Sequence, residues 1–60
     1  MNNQDKIAKK IAAQMKAANT LAELVKAWKD NEMEILLFPL ERQEKAQNFY
    51  KEQMKRIKDA

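Results

Sequence analysis

Not one of the 60 residues is glycine, and only Pro39 is proline. Glycine supplies the positive φ that two-residue hairpins need and the close backbone approach that phosphate-cradling loops need. A chain without it is pushed away from strands and from nucleotide loops, towards helix. The rest of the composition agrees, because Ala, Lys, Glu, Gln, Leu and Met dominate and β-branched residues are few. Cysteine and histidine are absent as well. That removes disulfides, a Cys/His zinc site, a thiol nucleophile and an imidazole proton shuttle.

Apolar spacing predicts an all-α protein of three helices, over residues 3–18, 20–37 and 39–58, in a single helical domain spanning 1–60. Ile7, Ile11, Met15 and Ala18 recur at helical intervals in the first segment. Asn19-Thr20 then breaks the pattern, and Thr20-Leu21-Ala22-Glu23 reads as a capping box that opens the second. That segment carries Leu21, Leu24, Trp28, Asn31, Ile35 and Phe38, a 3-4-3-4-3 series. Asp30-Asn31 are poor helix formers, yet the unbroken series favours one continuous helix. Pro39 disfavours helical angles at Phe38 and suits the first turn of a third helix. Leu40, Ala46, Phe49, Tyr50, Met54 and Ile57 form that helix's stripe. The Phe38-Pro39 link is so short that the second and third helices are expected to pair antiparallel as a hairpin.

The chain has no visible catalytic machinery. Glu32 and Glu34 point about 200° apart on a helix, and Glu41 and Glu44 share a face with no third acid beside them. No enzyme activity, cofactor or metal site is therefore expected. The longest run of large apolar residues, Ile35 to Phe38, is far below the roughly 20 residues of a membrane span. The first ten residues lack an apolar h-region, so no signal peptide is expected, and a cytoplasmic location away from membranes is the default.

Surface chemistry offers more. Helix one accounts for only three large apolar residues, too few to cover both faces of the expected hairpin. Val25, Trp28, Asn31, Ile35, Leu36, Leu37, Phe38 and Tyr50 are thus the candidate protein interface, and a two-fold dimer is the simplest arrangement that covers them. Asn31 has two readings: a buried polar residue that sets register against its symmetry mate, or an exposed helix end. Net charge is +3. Residues 1–19 and 41–60 are net basic and residues 20–40 net acidic. Lys6, Lys9, Lys10 and Lys16, with Lys51, Lys55, Arg56 and Lys58, are the candidate phosphate contacts.

The series Ala18-Asn19-Thr20-Leu21-Ala22-Glu23-Leu24, Ala27-Trp28, Asn31, Ile35, Pro39 and Tyr50-Lys51 resembles the helical tail of some bacteriophage single-strand annealing and recombination-associated proteins. The likeness covers about two thirds of the chain, from Asn19 to Ile57. It departs in lacking an annealing domain and in the more apolar Leu36-Leu37-Phe38. The resemblance implies a docking module in which Trp28 and Ile35 build the hairpin and the outer face recruits a protein of DNA recombination, replication or host defence. In size and architecture the chain is also similar to small plasmid-encoded RNA-binding hairpin dimers, by analogy of fold alone. Three functions are thus expected: a phage or prophage protein-interaction module, a dimer that binds nucleic acid through basic helix faces, or a purely structural assembly unit.

Overall fold

The computed structural model describes residues 3–59; the outermost positions of the expected 1–60 domain lie outside the described residues. Among the described residues the backbone has no strand. Four helices follow one another: α1 (Asn3–Ala17), α2 (Leu21–Asp30), α3 (Glu32–Leu36) and α4 (Leu40–Asp59).

The first turn forms where the capping signal stands. Thr20 is extended (φ −129°, ψ 160°), and its Oγ1 accepts the Glu23 N–H at 3.1 Å. The Glu23 carboxylate accepts in return from the Asn19 N–H at 2.8 Å. In the usual box the acid takes the N–H of the capping residue itself; here it reaches one residue further back. Ala18 N–H donates to Met15 O and closes α1. Thr20→Ala should cost about 1 kcal/mol and lower the melting temperature by about 4–8 °C, while Thr20→Ser should leave it nearly unchanged. Thermal melts followed by circular dichroism check both.

The helix expected over 20–37 is two helices, broken at Asn31. Its backbone (φ −113°, ψ 6°) lies outside the helical region, and its N–H donates to Trp28 O at 3.1 Å, three residues back. A helical N–H would have served the Ala27 carbonyl, four residues back. The Asn31 side chain takes over that task, with Nδ2 donating to Ala27 O at 2.7 Å. The same amide donates to Gln14 Oε1 on α1 at 2.6 Å. Asn31 is only 3% exposed. Both readings of this residue were therefore half right: it ends a helix, and it is buried. Its partners, however, are in its own chain.

The core also differs from the expected hairpin core. Its fully buried members are Ile11, Met15 and Ala18 from the first segment, Leu24 from α2, Ile35 from α3, and Phe38 from the following link. The longest helix, α4, contributes no fully buried residue. It supplies half-buried cover instead, through Ala46, Phe49, Tyr50, Met54 and Ile57. Two residues assigned to the hairpin stripe are exposed, Leu21 at 39% and Leu40 at 81%. For Leu40 the reason is phase. The inward phase of Ile35 ends at Phe38, and α4 restarts with its own, in which Leu40 lies half a turn from Phe49.

Cross-chain contacts give the order of the layers. Gln14 meets Asn31, Trp28 meets Tyr50, and Gln43 Nε2 donates to the Leu36 and Phe38 carbonyls at 3.1 and 2.9 Å. Those contacts run in opposite senses along α1 and α2, and along α2–α3 and α4. Asp5 pairs with Arg42 near the start of α1, and Arg56 reaches Lys16 and Ala18 near its end. Thus α1 and α4 run parallel, with α2–α3 returning between them. The α4 helix of 20 residues, about 30 Å long, sets the 35 Å long axis.

Candidate functional site

The eight candidate interface residues separate into three groups. Asn31, Ile35 and Phe38 are 3%, 3% and 6% exposed. They are committed to the chain's own core and leave the candidate surface. Both amide N–H donors of Asn31 serve its own chain, at Gln14 and Ala27, and not a symmetry mate. Trp28 and Tyr50 are half-buried against each other, with ring centroids 4.9 Å apart and planes tilted by 56°. This geometry is that of a favourable aromatic pair joining α2 to α4. Val25, Leu36 and Leu37 remain exposed.

Two further residues join Leu36 and Leu37, and sequence reasoning missed both. Met33 is 76% exposed and Leu40 81%. Met33 and Leu36 lie on α3 away from the buried Ile35, Leu37 caps its C-terminus, and Leu40 follows across Pro39. The result is an apolar corner at the α3–α4 junction, held in shape by the Gln43 amide on the Leu36 and Phe38 carbonyls. A signal for it was present in the sequence. Met33, Leu37 and Leu40 form a second 3-4 series, out of phase with the series that contains Ile35 and Phe38.

The basic residues do not form one surface. Lys6, Lys9, Lys10 and Lys16 are exposed on α1; Lys51, Lys55 and Lys58 are exposed on one face of α4, at steps of four and three. Arg56 has a structural task. Its guanidinium donates to Ala18 O at 2.9 Å and Lys16 O at 3.3 Å, and Gln53 Oε1 holds its Nε at 2.8 Å. A cation on the carbonyls that end α1 satisfies both their hydrogen bonds and the helix dipole.

Two clefts flank the bundle. Between α1 and α2, a polar cleft of about 320 Å³ mixes Glu23, Asp30 and Glu34 with Lys10 and Lys26. Glu34 Oε2 is buried there without a protein hydrogen-bond partner. Among the described residues no three acidic side chains are grouped as metal ligands, and no helix is long and apolar enough to cross a membrane. Between α1 and α4 lies an apolar cleft of about 220 Å³, with Arg42 and Lys45 at its edge. No protein-family model, curated protein or solved structure matches the chain.

Proposed function

We propose that this protein is a non-enzymatic helical interaction module that docks through the α3–α4 corner. One observation carries the reading. Met33, Leu36, Leu37 and Leu40 stand 60–81% exposed on a chain whose core is closed without them. Contiguous apolar surface of this kind marks protein contact sites more often than free solvent-facing surface. The simplest occupant is a second copy of the corner across a two-fold axis. Covering both corners gains on the order of 12 kcal/mol of apolar burial, against an association cost of about 4–15 kcal/mol, so that only at the smallest cost does the dimer reach micromolar affinity. Such a dimer exchanges readily for a heterologous partner. The resemblance to phage recombination tails makes proteins of DNA recombination, replication or defence the first partners to try.

The reading has a direct test in the double variant Leu37→Glu/Leu40→Glu. Both residues are exposed, so helicity and melting temperature should be unchanged. Sedimentation equilibrium at micromolar concentration should show association in the parent chain and a pure monomer in the variant. Equal masses for the two chains across the range would remove the corner from consideration.

A further inference from the structure

The α1–α4 cleft is a separate place from the corner, and its construction is specific. Parallel α1 and α4 are tied near one end by Asp5–Arg42 and near the other by Arg56 on the Lys16 and Ala18 carbonyls. Between the ties the walls carry alanines, Ala8 and Ala12 from α1 and Ala46 from α4. Methyl groups at those positions leave the helices unable to fill the space between them. Beneath them Met15, Phe38 and Phe49 supply an apolar floor. The opening of about 220 Å³ exceeds the roughly 150 Å³ cavity that accepts a benzene ring, and falls short of the roughly 300 Å³ at which pockets for drug-sized ligands begin. It fits one or two large side chains better than a cofactor.

Charge completes the description. Arg42 and Lys45 form the α4 lip; Arg42 is already paired with Asp5, so Lys45 is the lip's uncommitted cation, and no acidic residue lines the opening itself. On α1, Lys9, Ala12 and Lys16 fall at steps of three and four, so two exposed lysines bracket the alanine of the opposite lip. An apolar floor between two basic lips complements a segment that is apolar at its centre and acidic around it. Phosphates would use the lips and leave the floor wet.

We propose that the α1–α4 cleft docks an acidic segment of a partner protein by inserting one large apolar anchor, leucine or phenylalanine, over Ala12 and Ala46. The flanking carboxylates meet Lys9, Lys16 and Lys45, while Arg42 stays on Asp5. This inference shares with the corner only the premise that the chain is an interaction module, and it uses none of the corner's residues.

The probe is a fluorescein-labelled peptide, Asp-Glu-Asp-Leu-Phe-Glu-Asp-Glu, titrated by fluorescence anisotropy against the full chain. Binding should weaken about tenfold or more when Leu-Phe becomes Ala-Ala, and again when the protein carries Lys45→Glu. Lys45 is exposed, so its reversal leaves the fold intact, as a thermal melt will verify. Ala12→Leu, which fills the cleft from its lip, should also abolish binding. The Leu37→Glu/Leu40→Glu chain should bind the peptide as the parent does. Loss of binding in that chain alone would place the peptide on the corner and overturn the cleft assignment while supporting the docking reading above. Absence of peptide binding would overturn it outright. So would equal binding of the Ala-Ala peptide or of oligothymidylate, since either would make the lips a charge surface and the floor idle.

Discussion

Leu24→Ala should lower the melting temperature by about 12–24 °C, among the large effects expected of a core truncation in this chain. Leu24 is 0% exposed, the one buried residue of α2. Leucine-to-alanine changes at such sites cost about 3 kcal/mol or more, because the lost transfer energy is joined by the energy of the cavity left behind. A chain of 60 residues has a total stability of about 3–9 kcal/mol, so this change removes a third of it or more. Val25, its neighbour, is 37% exposed and supplies the control. Val25→Ala should cost less than about 1 kcal/mol. Urea melts of the two variants should give well-separated midpoints with similar slopes; coincident midpoints would contradict the core described above.

Asn31→Ala should cost about 2 kcal/mol, or about 8–16 °C in melting temperature. Two short hydrogen bonds disappear, to Ala27 O and Gln14 Oε1. The more damaging loss is the first. The Asn31 backbone N–H is engaged by Trp28 O and so does not serve Ala27 O in place of the amide. Gln14 is exposed and regains water, so Gln14→Ala alone should cost less than Asn31→Ala. In a double-mutant cycle the two changes should be non-additive by about 1 kcal/mol, the signature of a direct bond. The sedimentation behaviour of Asn31→Ala should match that of the parent. A change in stoichiometry with no change in stability would instead put Asn31 between two copies.

The contrast between Asn31 and Leu40 shows where sequence reasoning reaches its limit. Asn31 sits in an apolar series, and the series alone argued for one continuous helix. What it lacked was the Ala27 carbonyl, which becomes an unfilled acceptor only when the backbone bends. A side-chain amide that caps the break it creates looks, in sequence, like a polar residue interrupting a stripe. Leu40 misled for the opposite reason. It is a large apolar residue at helical spacing, yet the proline before it resets the phase, and Ala46 and Phe49 face inward in its place. The corner was legible as Leu36 and Leu37, whereas Met33 and Leu40 became surface only once Ile35 and Phe38 had turned inward.

The amino-acid sequence by itself determined the helical class, the stop at Asn19-Thr20 and the stop at Pro39. These depend on interactions within four residues: propensity, a threonine oxygen on a neighbouring N–H, a ring that blocks the preceding backbone. Only the tertiary structure decided which helix fills the core and which apolar residues stay outside. That choice rests on pairings between residues far apart in the chain, Gln14 with Asn31, Asp5 with Arg42 and Ala18 with Arg56. Alanine on α1 and α4 made the same point in reverse. In sequence Ala8, Ala12 and Ala46 are good helix formers, and in the bundle their missing atoms open the cleft. Helical periodicity gives each residue an angle around its own axis, but the directions that count as inside are fixed only when the other helices arrive.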